Sequence, residues 1–203
     1  MNLTNFVENV IFQCFYCKFV GLEIIFTIVV ESIQKYKSAL GFIIKFFIVY
    51  AILTYFYSLY LSNFEGEPDG VTRLVANQTE SIINTLGYTA NVEVHESEPT
   101  MKLLVHGNYV GRIVEGCNSI SVLILFVTFV IAFTGNLKNT ILFILVGSVL
   151  VYLANLLRIV ILGIGLYSFP DKEYLLHQIV FPTIIYGMVF SLWMFWVQKF
   201  SKK

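Results

Sequence analysis

Four long apolar stretches organise the chain. The first runs from about Ala39 to Leu61, interrupted only by Lys45 near its start. The second covers Ile120 to Phe133 with its flanks, the third Thr140 to Tyr167 and the fourth Leu175 to Val197. A bilayer span needs about 20 mostly apolar residues, so each stretch predicts a transmembrane helix. Between the first two lies a polar segment with a different rhythm. Glu65–Gly70 is turn-rich, with Pro68, Asp69 and Gly70. Val71, Leu74, Val75, Ile82 and Leu86 then recur near helical spacing and Gly87 ends the run, which predicts an amphipathic helix on the outer leaflet or on the bundle. Asn91–Glu96, Met101–His106 and Tyr109–Val114 predict short strands, with turns at Pro99 and Gly107-Asn108.

The fold class is therefore an all-α polytopic membrane protein with four transmembrane helices and a small extracytoplasmic helix plus β-meander inserted at residues 63–114. Residues 1–34 form an N-terminal extension, 35–199 the membrane domain and 200–203 a basic cytoplasmic tail. The extension admits three readings: a fifth span, an interfacial helix, or an upstream stretch before a more usual start. Val7–Val30 is apolar on average but carries Gln13, Lys18 and Glu23. Met1–Glu8 has no basic residue and does not read as a signal peptide.

Composition agrees with the pattern. Of 203 residues, 57% are hydrophobic and 13% charged, and mean hydropathy is +0.77. Soluble domains are nearer one quarter charged, so a nucleic-acid binder, a disordered tail and an ordinary water-soluble enzyme are excluded. The lipid bilayer is the implied environment. Net charge is zero, so charge placement is what matters. Lys35, Lys37, Lys45, Lys138, Lys199, Lys202 and Lys203 fall on one side of a four-span topology, which the positive-inside rule makes cytoplasmic. Glu65, Glu67, Asp69, Glu80, Glu93, Glu96, Glu98 and Asp171 fall on the other. Three cysteines do not make a disulfide framework. Cys14 and Cys17 form a lone C-x-x-C, which reads as two small apolar thiols rather than a metal or redox site. No metal site and no cofactor is expected.

Polar groups at membrane depth are costly and call for an explanation. Three fall at one outer depth: Cys117 in Glu115-Gly116-Cys117-Asn118-Ser119, Arg158 in Asn155-Leu156-Leu157-Arg158-Ile159, and His177 in His177-Gln178-Ile179-Val180-Phe181-Pro182. A helical bundle can bring such positions together. Cys117 is expected at a helix start, where free N–H groups favour an anion, and Gly116 would let a substrate backbone approach. Asn155 sits one turn before Arg158 and could fix the guanidinium or a partner carbonyl. Pro182 would remove a helix hydrogen bond, free the Gln178 carbonyl and open the helix end beside His177. A thiol with a base and a fixed cation is the general form of nucleophilic catalysis. Glu115 is the reserve base and Asn118 a supporting neighbour. Two alternatives stay open: a non-enzymatic polytopic transport or assembly protein, and a membrane acyltransferase loading Cys117.

The order of these three words resembles the exosortase/archaeosortase family. Glu-Gly-Cys-Asn-Ser-Ile-Ser, Asn-Leu-Leu-Arg-Ile and His-Gln-Ile-Val-Phe-Pro are similar to the short type F exosortases of Bacteroidota, over roughly Tyr36 to Val197. Better-known members carry Ala-Cys-Ser-Gly at the nucleophile and have more spans. The resemblance implies a membrane-embedded cysteine transpeptidase or protease without a cofactor. Its partners would be exported client proteins ending in an apolar helix and a basic tail. It would sit in the bacterial inner membrane with its site facing the periplasm. Cys117 would attack, Arg158 would orient the substrate carbonyl or stabilise the oxyanion, and His177 would move the protons.

Overall fold

The computed structural model describes residues 37, 39–64, 66–133, 135–172 and 174–200, the side chains of His177 and Phe200 excepted. The N-terminal extension with Cys14 and Cys17, and the basic tail beyond Phe200, lie outside the described residues. Contacts divide the chain into Met1–Ile44 and Lys45–Lys203. Of the first unit, Lys37 and the opening turns of α1 are described; the rest of α1 and every later element belong to the second.

Helix α1 is Ala39–Phe64, its last turn, Ser62–Phe64, being 3-10 helical. Helix α2, Gly70–Thr85, begins where Asp69 accepts the N–H groups of Val71 (2.9 Å) and Thr72 (3.1 Å), the expected device for a helix start. It ends where the Leu86 N–H reaches back to Ile82 and Ile83, and Gly87 follows at φ +91. Strands β1 (Ala90–Val94), β2 (Met101–Val105) and β3 (Asn108–Ile113) form an antiparallel meander in that order. The turn between β2 and β3 is His106-Gly107, both at positive φ, rather than Gly107-Asn108. A two-residue hairpin of this type needs positive φ at both central residues. Between β2 and β3 the register shifts at Leu103/Leu104: Leu103 faces Gly111 and Leu104 faces Tyr109, leaving Val110 as the extra residue of a bulge.

Met101, Leu103 and Val105 of β2 are buried on one face while Lys102 and Leu104 are less so, the period-two pattern of a sheet with one packed face. That face rests on α2 and on the later part of α4 (Leu137–Ser168). Gly163 of α4 permits the contact: a Cβ there would meet Leu103 Cδ2 at 2.9 Å. Ile83, Ala90, Leu103 and Val160 fill the upper layer, and Val75, Ala76, Met101, Ile113, Leu156 and Ile159 the layer nearer the bundle.

Below the insertion, α3 (Ile120–Ala132), α4 and α5 (Phe181–Phe200) pack together around Phe126, Val130, Val151, Val189 and Trp196. Among the described residues, three helices are long and apolar enough to cross a membrane: Ala39–Phe64, Leu137–Ser168 and Gln178–Lys199. The second apolar stretch is shorter than a span. Helix α3 has 13 residues, about 20 Å against a hydrocarbon core of about 30 Å. The segment containing it runs deeper than the helix alone. Gly135 lies against Trp196 and Thr140 at one end, Phe126 against Gly147 midway, and Cys117 bonds to Asn155 at the other. From Leu137 to Asn155 α4 climbs about 27 Å, so the upper part of the segment alongside it is turn rather than helix.

Gly147 sets the α3–α4 distance, since a Cβ would come within 2.3 Å of Phe126 Cζ. Gly147→Ala is expected to overpack this contact and cost roughly 1–3 kcal/mol. Thermal unfolding in detergent measures it; an unchanged midpoint would mean that Phe126 swings away freely.

Candidate active site

The end of the bundle that carries the insertion gathers the sequence-predicted residues, opposite to the end where Lys138 and Lys199 sit. The path to it begins in β3. Ile113 buries its side chain, Val114 continues extended, and the chain tightens into a 3-10 turn, Glu115–Cys117. The Cys117 N–H donates to Val114 O (2.8 Å) and the Asn118 N–H to Glu115 O (3.2 Å). Ser119 follows in the left-handed region at φ 69 and α3 starts at Ile120. Cys117 therefore sits on a 3-10 turn three residues before the α-helix, not at its first turn. The Ile120 N–H, one of the donors expected to be free, is taken by Asn118 Oδ1 at 3.0 Å. The Cys117 thiol is free and half-buried.

Two asparagines hold this turn. Asn155 of α4 is buried and donates from Nδ2 to the Cys117 carbonyl at 2.7 Å. Its partner is thus the backbone of Cys117 rather than the guanidinium. Asn118 is fully buried and donates from Nδ2 to the Tyr57 hydroxyl (3.0 Å) and to Thr72 Oγ1 (3.3 Å). Thr72 Oγ1 in turn donates to Asp69 Oδ2. The chain Tyr57–Asn118–Thr72–Asp69 fastens α1 and the start of α2 to the residue after Cys117. Tyr57, Thr72 and Asp69 are site-supporting residues that sequence reasoning did not single out; the Asp69-Gly70-Val71-Thr72 helix start was their one local signal.

Glu115 and Gly116 are exposed on the same turn. A Cβ at Gly116 would meet only Val114 Cγ2, at 4.0 Å, so nothing within the described protein demands glycine there. Arg158 lies one turn beyond Asn155. Its Nε is buried and makes no hydrogen bond among the described residues. A buried donor without a partner costs about 1–3 kcal/mol, more when charged. Such a group calls for an explanation, and a ligand that accepts from it is one.

Cys117 and Arg158 line one cavity of about 630 Å³, together with β3, the apolar α4 side chains Leu162 and Leu166, and Gln178. The volume is in the range of small-molecule and peptide-segment sites. His177, next to Gln178, has its backbone in a π-helical turn, Leu175–Val180. There the Phe181 N–H bonds to Leu176 O, five residues back. Pro182 consequently follows a widened turn instead of kinking a regular helix, and Thr183 Oγ1 donates to the Ile179 carbonyl at 2.7 Å. Single π turns mark functional sites more often than chance. Among the described residues no group of three or more metal-ligating side chains is present.

Asn118→Ala would remove the partner of the Tyr57 hydroxyl and of the Ile120 N–H together, while Thr72 Oγ1 keeps its bond to Asp69. A stability loss of about 1–3 kcal/mol is expected, with faster exchange of the Ile120 amide. Hydrogen exchange in detergent reads both; unchanged protection at Ile120 would mean that Asn118 does not hold the turn.

No curated protein and no solved structure matches the chain. Residues 38–198 do match a family model, described as Transmembrane exosortase (Exosortase_EpsH). That match takes in α1, the insertion, the Cys117 turn, Arg158 and the His177 turn, and it shows that this membrane protein belongs to the transmembrane exosortase family, whose members process sorting signals.

Proposed function

We propose that the protein is a cysteine transpeptidase or protease that cuts the C-terminal sorting signal of exported proteins at the outer face of the bacterial inner membrane. The observation that carries this is the shared cavity: a half-buried free thiol and the half-buried Arg158, whose buried Nε has no hydrogen-bond partner among the described residues, line one space. In the first step the Cys117 thiolate adds to the client's scissile carbonyl. The C–N bond then breaks, His177 gives its proton to the leaving amine, and a Cys117 thioester remains. In the second step an amine, another acceptor or water adds to the thioester, His177 takes the acceptor's proton, and the C–S bond breaks. Arg158 donates to the oxygen that carries charge in both tetrahedral intermediates. Asn155 holds the Cys117 carbonyl so that the turn keeps its aim. The words around Cys117, Arg158 and His177 favour the short type F subtype of Bacteroidota.

The bundle supports processing over transport. A transport path would need polar side chains through its depth, yet the half near Lys138 and Lys199 is filled by Phe126, Val130, Val151, Val189 and Trp196. The sidedness rests on these lysines and makes four crossings, with the Cys117 segment as the short second one.

The test is capture of the thioester. Wild-type membranes expressing the exported proteins of the cell should yield a hydroxylamine-sensitive adduct on Cys117, read by mass spectrometry as a protein ending where its C-terminal apolar helix began. A fatty acyl adduct alone would replace this reading with lipid acyl transfer.

A further inference from the structure

We propose that the client segment just upstream of the cut binds as an added β-strand on the free edge of β3, running parallel to it. This inference rests on the processing reading and specifies how that site takes its substrate.

In the β1-β2-β3 meander, β3 pairs among the described residues with β2 on one side and with no strand on the other. Half of a strand's backbone groups point away from its neighbour, so β3 presents N–H and C=O groups on its other side. Among the described residues, no hydrogen bond besides the β2 ladder reaches the backbone of Tyr109–Ile113. These five residues line the cavity that holds Cys117 and Arg158. The edge is thus continuous with the proposed nucleophile: Ile113 is followed by Val114 and the Cys117 turn.

Two local features suit the approach of another backbone. Val110 is the extra residue of a bulge, a device that commonly sits beside active sites. Gly111 has open space where a Cβ would be, and glycine within a strand often marks close backbone approach.

Direction follows from where the two ends of β3 lie. Its start adjoins His106, whose ring packs 5.2 Å from that of Tyr167, near the end of α4. Its far end leads to Cys117, whose carbonyl is bonded to Asn155. Those α4 residues are about 18 Å apart along the helix, matching a strand of six residues at about 3.3 Å each. β3 therefore descends toward the bilayer. A client whose folded part is outside and whose C-terminal helix is in the membrane descends the same way. With its scissile bond at Cys117, its upstream residues climb toward Tyr109, parallel to β3. Edge pairing supplies affinity through main-chain bonds, while side chains choose the client.

The probe is an exported protein whose uncut form accumulates in Cys117→Ala cells. It is tested in Cys14→Ala, Cys17→Ala, Cys117→Ala enzyme carrying one cysteine at Tyr109 or at Arg112, against single cysteines placed along the client's last residues before the cut. Disulfide trapping should pair Arg112→Cys with client positions nearer the cut and Tyr109→Cys with positions farther upstream. A reversed order, or trapping with a second copy of the enzyme in place of the client, overturns the placement. A proline scan of the same client residues in wild-type enzyme is the second measurement. Cutting should fall roughly tenfold or more at alternate positions, where the lost N–H faced β3, and little between them. Equal tolerance at all positions also overturns it. If no protein accumulates uncut in Cys117→Ala cells, the processing reading fails first; if one does but neither pattern appears, only the strand addition fails.

Discussion

Replacing Cys117 by alanine is expected to abolish client cutting while the protein still inserts and folds. The side chain lost is small and half-buried, so the packing cost is modest, and both hydrogen bonds at this residue use its backbone. The turn should keep its shape. What disappears is the atom that forms the covalent intermediate, and removing a nucleophile elsewhere costs on the order of 10⁴-fold or more. Cys14→Ala and Cys17→Ala should leave cutting intact. Immunoblots of an exported client in the three variants, with enzyme abundance measured in the same membranes, decide this. Client cutting that survives in Cys117→Ala removes cysteine catalysis and leaves the exosortase membership without its proposed nucleophile.

Much of the architecture was legible because bilayer and sheet impose short, strict periods. The first, third and fourth apolar stretches, the α2 helix from Val71 to Leu86 and the three strands all form elements close to where the pattern put them. The family resemblance over Tyr36 to Val197 likewise coincides with the matched residues 38–198. What escaped the pattern depends on contacts between distant residues. Apolar content marks an apolar segment but not its helical part, so the second stretch predicts a longer helix than the 13 residues of α3. Gly116 before an apolar run looked like a helix start, yet the backbone spends Glu115–Cys117 on a 3-10 turn and Ser119 on a left-handed residue. Pro182 announced a disturbance correctly placed but of another kind, a π turn. Asn118 read as a mere neighbour of the thiol. Its bonds to Tyr57, 61 residues away, and to Thr72, 46 away, are invisible to any local rule. The β3 edge, too, became part of the site only once the meander was seen to end at the cavity.

Arg158 is where a conservative change should be most revealing. Its side chain reaches the cavity with a buried Nε that nothing described in the protein satisfies. Asn155, the polar side chain one turn away, is already committed to the Cys117 carbonyl. An arginine kept merely for packing or for its charge would tolerate lysine, which fills similar space and carries the same charge. An arginine that serves the oxyanion with more than one N–H of its planar fork would not. Arg158→Lys is therefore expected to insert normally and to lose roughly 10²–10³-fold in client cutting, the scale of losing one oxyanion donor. Cys117 should still react with a small thiol reagent in this variant, because the turn that holds it is fixed by Asn155 and Asn118 and not by Arg158. Cutting rate and thiol labelling measured on the same membranes separate the two roles. Cutting at the wild-type rate in Arg158→Lys would return the guanidinium to a structural part, and loss of labelling along with cutting would mean that the cavity itself depends on it.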